Sequence, residues 1–298
     1  MRILVTGVSG QVGAALVTRL PNEDVIAASR SLIDLAQPDN IAAVLEQRNP
    51  AIIINAAAYT AVDRAETERE LARVVNSVAP SVIAQWASAN AVPLIHFSTD
   101  YVFDGRSQTP WREDDARRPL SVYGCTKLDG EDAVRAAGGT SLIVRTSWVY
   151  AATGKNFLRT IARLARERKQ LRIVADQIGA PTSAALIADC VRKMLNGDLE
   201  SFRDRCAVSN GVVHLTASGE TSWYGFARAI VDGLRKRGVN LAVDEVVPIK
   251  TEDYPTPAKR PLNSRLDLTR LCQVFKTTPA RWLDALEPEL DVLAEELR

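Results

Sequence analysis

Histidine is nearly missing from this chain, with only His96 and His214 in 298 residues. A zinc site built on imidazoles is therefore not expected, and no His or Cys falls at metal-ligand spacing. Cysteine is sparse as well. Cys125, Cys190, Cys206 and Cys272 are scattered without a CxxC pair. That excludes a disulfide framework and fits free thiols in a reducing cytoplasm. Long apolar runs are lacking too. The longest, residues 51–62, is interrupted by Asn55 and Thr60 and falls short of the roughly 20 residues a bilayer span needs. Residues 3–5 are cut off by Thr6-Gly7, so no secretory h-region is expected. Neither sign of charge dominates: Lys+Arg 37 against Asp+Glu 36, net +1, with a pI near 7.7. This balance gives no electrostatic reason to expect nucleic acid or a membrane as partner.

What remains is the composition of a soluble globular protein, 46% apolar and 24% charged, which excludes a mainly disordered chain. The length suits two domains or one large α/β unit. Such a chain buries about three quarters of its unfolded surface and needs no staples.

The first part of the chain alternates two periodicities. Short apolar runs at 3–5, 25–28, 52–54, 93–97 and 142–144 read as strands; residues 11–20, 40–47 and 68–90 read as helices. Short apolar strands alternating with helices predict a doubly wound parallel sheet covered on both faces. Beyond about residue 150 the texture changes. Helical stretches at 156–169, 185–194 and 222–237 are separated by Pro/Gly/Ser/Thr loops, with weaker strands at 171–174 and 212–215. Residues 254–261 carry three prolines and read as an ordered irregular loop. The expected organisation is a nucleotide-binding domain over 1–150 and a smaller α/β substrate-binding domain over 151–298, with some of its helices returning to the first.

Two constellations carry chemistry. Thr6-Gly7-Val8-Ser9-Gly10-Gln11-Val12-Gly13 follows the first strand and opens the first helix. Glycines there allow a tight turn and let the backbone approach a pyrophosphate. The helix N-terminus offers unpaired N–H groups and a positive dipole end. The spacing is GxxGxxG rather than the commoner GxGxxG, and its position makes it a dinucleotide site. At the end of the second strand, where an acid would accept from the ribose hydroxyls of NAD, stands Ser29-Arg30. A guanidinium pairs with a 2′-phosphate, which favours NADPH and leaves NADH open. The alternative is that Arg30 is a solvated surface charge.

The second constellation is Tyr123-Gly124-Cys125-Thr126-Lys127. On a helix the phenol and the ammonium share a face, and a nearby cation is expected to lower the phenol's pKa toward the working range. Thr99, in Ser98-Thr99-Asp100-Tyr101, falls at a strand C-terminus, where open α/β sheets bind ligands. His96 is apolar-flanked and reads as packed rather than catalytic, and Asn76 reads as structural.

Together TGxxGxxG, Asn55-Ala56-Ala57-Ala58, STDYVF (98–103), YGxTK (123–127) and RTSWVY (145–150) resemble the extended short-chain dehydrogenase/reductase family with a Rossmann domain. Further blocks at 176–182, 254–258 and 260–264 make the chain similar, over nearly its whole length, to the branch of dTDP-4-dehydrorhamnose reductases. The resemblance implies NAD(P)H-dependent reduction of the 4-keto group of dTDP-4-dehydro-6-deoxy-L-mannose to dTDP-L-rhamnose, a precursor of cell-surface polysaccharide. It implies Tyr123 as proton donor, Lys127 as its partner on the nicotinamide ribose, and Thr99 as a hydroxyl on the keto oxygen or Tyr123. The cofactor would lie along Gly7, Gly10, Gln11, Val12, Gly13, Arg30, Asp34, Leu35, Ala58, Tyr59 and Thr60, reaching Tyr123 and Lys127. The dTDP-linked deoxysugar would meet Thr99, Asp100, Tyr101, Tyr123 and Trp148, although Trp148 also reads as core.

Some relatives link magnesium to a homodimer through C-terminal glutamates. Glu287, Glu289, Glu295 and Glu296 stand in this tail, but acids at that spacing also make an ordinary solvated helix face, and no metal ligands are assigned. Two other readings stay open. One is an epimerase or dehydratase of the same family; dehydratases pair an Asp-Glu with the strand-end threonine, and here Asp100-Tyr101 follows it. The other is a non-catalytic regulatory subunit like that of methionine adenosyltransferase, which would not need an intact Tyr123, Lys127 and Thr99.

Overall fold

A computed structural model describes residues 1–20 and 24–298. Five strands from the first half, β1 (Arg2–Thr6), β2 (Asp24–Ala28), β3 (Ile52–Asn55), β4 (Leu94–Thr99) and β5 (Ser141–Thr146), form one parallel sheet with the strand Val212–His214. The spatial order is Val212–His214, β5, β4, β3, β1, β2. The order reverses between β1 and β3, which makes that edge the switch point of the sheet.

The strands are apolar on both faces, so their side chains alternate between two cores. Ile3, Val5, Ile52, Ile54 and Ile95 point into one, covered by α1 (Gln11–Arg19) and by the helices Ala184–Met194 and Leu199–Val208. Leu4, Ile53, Leu94 and Ile143 point into the other, covered by α2 (Ile41–Arg48) and the helix Ala79–Ala89. The strand Val212–His214 and the two helices before it thus serve the first sheet although they lie in the second half of the chain. A separate core gathers the helices Phe157–Glu167, Trp223–Lys236 and Trp282–Leu297. Beside them lies the two-stranded pair Gln170–Val174 and Glu245–Ile249.

The helix expected over 68–90 is not one regular helix. It runs as Arg69–Arg73, a π-helical segment Val74–Val78, and Ala79–Ala89. Pro80 has no N–H to give to the Asn76 carbonyl, and the widened turn absorbs that missing bond. The freed carbonyl lies instead against Gly130, where a Cβ would sit only 2.1 Å from it. Asn76 is thereby turned inward at a point where helical periodicity carries no hint of it.

Candidate active site

The C-terminal ends of the central strands are polar and in register. Thr6 pairs with Asn55 between β1 and β3, and Asn55 with His96 between β3 and β4. The side chains follow: Thr6 Oγ1 donates to Asn55 Oδ1 at 2.6 Å, and Asn55 Nδ2 lies 3.1 Å from His96 Nδ1. His96 is completely buried, and desolvation followed by the nearby Lys127 charge holds it well below the usual imidazole range. It is a neutral brace beneath the site.

The glycine loop sits directly on this rim. Gly7 has φ +69, a left-handed conformation, and a Cβ there would meet Ala57 N at 2.6 Å. At Gly13 a Cβ would lie 2.2 Å from the Gly7 carbonyl, so this position is bare because helix and loop touch. Gly10 is different: a Cβ there meets only Gly7 O, at 3.2 Å, and otherwise faces open space. Gly10 also caps α1 with no side-chain bond, and no acid stands in the first turn. The first N–H groups of α1 therefore face that space, which suits a pyrophosphate. Gln11 accepts from Asn156 Nδ2 at 2.9 Å, and Val12 packs on the core below.

Arg30 lies two residues beyond β2 with a side chain 76% exposed, loosely paired with Asp34 at 3.2 Å. Asp34 also accepts from Ala36 N, and Leu35 is buried. Across the switch point, Asn76 clamps the 58–60 segment: its Oδ1 accepts from Tyr59 N at 2.8 Å, and its Nδ2 donates to Tyr59 O and Thr126 Oγ1, each at 3.1 Å. Ala58 and Tyr59 are half-buried and Thr60 is exposed. One side chain thus ties three stretches of chain that meet at the site.

Tyr123 and Lys127 stand on the first two turns of the helix Val122–Ala136, which starts at Ser121, whose hydroxyl accepts from Gly124 N. Tyr123 is 8% exposed, and Tyr101 packs edge-on against it at 5.5 Å. Lys127 is 1% exposed and donates from Nζ to the Phe97 carbonyl at 2.7 Å. Thr99 donates to Asp100 Oδ1 at 3.0 Å and accepts from Tyr101 N. The expected lowering of Tyr123 does not occur in this state. Burial pushes the phenol up, a hydrogen bond with Thr99 works against that, and the Asp100 charge adds to it. The Lys127 ammonium is engaged by Phe97, and desolvation outweighs what a cation one turn away supplies. At neutral pH the buried Tyr123 phenol keeps its proton.

Asp100 is also buried. Desolvation pushes it up to about 6, against hydrogen bonds from Ser264 and Thr99. Among the described residues its Oδ2 has no partner, and neither do the buried Thr146 Oγ1 and Ser147 Oγ. All three lie at or just past the ends of β4 and β5. Unpaired buried polar atoms are costly, and three of them at these strand ends suit a place where a polar ligand is received.

Trp148 stands over this rim with φ +49. It is wedged between Gly179, where a Cβ would lie 2.7 Å from the indole, and Trp223, stacked at 3.6 Å. Trp223 Nε1 in turn donates to Gln177 Oε1 at 3.1 Å. On the facing side, Arg260 donates to Asp63 at 2.7 Å and draws the 254–261 loop to the 58–65 segment. Asn76, Gln177 and Trp223 stand around these residues as well, and of the three only Gln177, within the 176–182 block, carries a signal in the linear sequence.

The glutamates of the C-terminal tail do not converge. Glu287 pairs with Arg237, Glu289 accepts from Ala152 N, and Glu296 pairs with Arg159. Among the described residues no group of His, Cys, Asp or Glu is placed to hold a metal ion. No helix among them is long and apolar enough to cross a membrane.

A parallel sheet with this switch point, a glycine loop opening α1 and a Tyr–Lys helix at the β4 end define an extended short-chain dehydrogenase/reductase. The family described as RmlD substrate binding domain matches residues 1–295, and the chain belongs to it. A dTDP-4-dehydrorhamnose reductase of Burkholderia thailandensis is 46% identical over 287 residues, 95% of each chain. The structure of a dTDP-4-dehydrorhamnose reductase from Clostridium acetobutylicum matches with a TM-score of 0.88 at 35% identity, covering 98% of this chain and 99% of that one. A Bacillus anthracis dTDP-4-dehydrorhamnose reductase, solved in complex with NADP, matches with a TM-score of 0.85 at 32% identity, covering 97% and 98%.

Proposed function

We propose that this protein reduces the 4-keto group of dTDP-4-dehydro-6-deoxy-L-mannose to give dTDP-L-rhamnose, with NADPH preferred over NADH. The observation that carries the reading is the Tyr123–Lys127 turn, seated against Thr99 at the strand ends of a chain whose relatives bear that reductase name. When bound, the nicotinamide supplies the hydride to the ketone carbon. Tyr123 then gives its phenolic proton to the developing alkoxide, so that carbonyl plus hydride plus proton balance as the secondary alcohol. The raised phenol suits this role, because the donor must still hold its proton when the sugar arrives. Thr99 orients the phenol and the keto oxygen. Lys127 anchors the ribose and stabilises the phenolate left behind.

The backbone N–H groups at Gly10 to Gly13 hold the pyrophosphate, with Arg30 reading the 2′-phosphate. Asp100 and Tyr101 line the sugar, with Trp148 as its apolar wall. The four free thiols fit a cytoplasmic setting. The test is loss of reduced-nicotinamide absorbance by purified protein with dTDP-4-dehydro-L-rhamnose generated in situ. Loss that requires the sugar and yields dTDP-L-rhamnose supports the reading. Bound cofactor with no turnover overturns it.

A further inference from the structure

Behind the Tyr123–Lys127 turn lies a set of buried charges that the proposed chemistry does not use. Glu131 stands one turn beyond Lys127 and is completely buried. Its carboxylate accepts from Ser98 Oγ at 2.6 Å and from Arg145 through two bonds, Nε at 2.8 Å and Nη2 at 2.7 Å. Arg117 reaches it at 3.4 Å. Arg145 is itself buried, donating to the Glu113 carbonyl at 3.0 Å and lying over the Phe103 ring at 5.1 Å. A fully buried ion pair is poor value for stability, because desolvation offsets most of the attraction. An apolar pair would fill this space more cheaply, so the charge asks for another explanation.

We infer that Glu131 is an electrostatic positioning residue: its carboxylate, held in place by Arg145, keeps the Lys127 ammonium charged and seated on the Phe97 carbonyl. The inference rests on the reading of Lys127 as the partner of Tyr123. Lys127 is the one buried lysine of the eight in the chain. Burial pushes it down to about 8, and Glu131 is the charge that works the other way.

The remaining neighbours do not supply that support. From β4 comes His96, neutral and itself lowered by burial and then by Lys127. From β5 comes Arg145, whose guanidinium is spent on Glu131. Asp100, in the turn after β4, bears on Tyr123. The segments Val74–Val78 and Ala79–Ala89, packed on the same helix, carry no charged residue. On the short helices Val62–Ala65 and Arg69–Arg73, Asp63 pairs with Arg260, Arg64 with Glu68, and Glu70 with Arg73. On the lysine's own helix, Asp132 pairs with Arg117 and Asp129 bears on Cys125 and Arg73.

The experiment follows the lysine directly. Protein labelled with 13C at lysine Cε is titrated by NMR without nucleotide, so the readout does not depend on turnover. In the wild type the Lys127 resonance should titrate below the ordinary lysine range. In Glu131→Gln its midpoint should fall by about one pH unit, and the alkaline limb of kcat/KM should move the same way. Because that variant strands Arg145, whose unpaired charge would itself push Lys127 down, Glu131→Gln/Arg145→Met removes both charges and should show a smaller downward shift. Glu131→Asp, which keeps the charge, should restore most of it. A Lys127 midpoint unchanged in the double variant overturns the inference. The downward shift in a protein that fails to reduce the keto sugar would uphold the inference while overturning the functional reading.

Discussion

The indole of Trp148 lies flat on that of Trp223, ring centroids 3.6 Å apart and 13° from parallel. Trp148 is on the β5 side of the site and Trp223 opens a helix of the second core, so the stack joins the two halves of the chain where the sugar is expected. With Gly179 also packed tightly against the indole, the Trp148 side chain has little room to move. Trp223→Ala removes one wall of that slot, worth about 1 kcal/mol for an aromatic pair. The KM for the keto sugar should rise roughly fivefold, while the Kd for NADPH stays at its wild-type value. Steady-state kinetics alongside fluorescence titration of the cofactor check both halves, and Trp223→Phe should recover most of the loss.

Tyr123→Phe removes the proton and little else, since the ring stays packed on Tyr101. Turnover should drop by roughly 10²–10⁴-fold with cofactor affinity kept. Wild-type turnover in this variant would remove Tyr123 as the donor.

Gly10 and Gly13 should answer differently to the same methyl. Gly13→Ala drives a Cβ into the Gly7 carbonyl, so backbone must move; a stability loss of about 1–3 kcal/mol is expected together with weakened NADPH binding. Gly10→Ala meets far less protein, so its melting temperature should hold while the crowded cradle loses cofactor affinity. Thermal melts and cofactor titrations on the two variants separate the roles.

Asp100 makes stability depend on pH in the direction opposite to an ordinary salt-bridged carboxylate. Its folded value of about 6 lies above the unfolded 3.8, so the folded state binds the proton more tightly. The resulting stabilisation is fully present below pH 4 and is lost as pH rises through 6. Asp100→Asn cannot titrate. Relative to wild type it should gain about 3 kcal/mol between pH 4 and 7, measured by urea unfolding at each pH. A constant difference would show that the carboxyl is not held neutral.

Arg30 is mostly solvent-exposed and, among the described residues, its side chain is held by Asp34 alone, which leaves the guanidinium open to a phosphate. Arg30→Asp should lower kcat/KM for NADPH at least tenfold relative to NADH. An unchanged ratio would assign Arg30 to the solvated surface.

Much of this was readable in the linear order of residues. Local apolar runs broken by Gly, Pro and Asn placed β1 through β5 within a residue or two, because a strand buried on both faces has no other composition available. The Gly7–Gly13 loop and the 123–127 turn were legible for a related reason: each is a short motif whose chemistry needs particular residues at fixed spacing. The 68–90 segment departs from one regular helix where Pro80 and the Asn76 carbonyl cannot bond. That consequence depends on what lies opposite, in this case Gly130.

The alternating sheet, the phosphate loop and the pairing of phenol with ammonium are each encoded within a few neighbouring residues. Tertiary structure alone decided that Val212–His214 closes the first sheet, that Trp223 backs Trp148, and that Arg260 meets Asp63 across 197 positions. It also decided the sign of the Tyr123 shift. Spacing places a cation beside the phenol, but burial depends on everything packed around it, and desolvation is a sum that no local pattern contains.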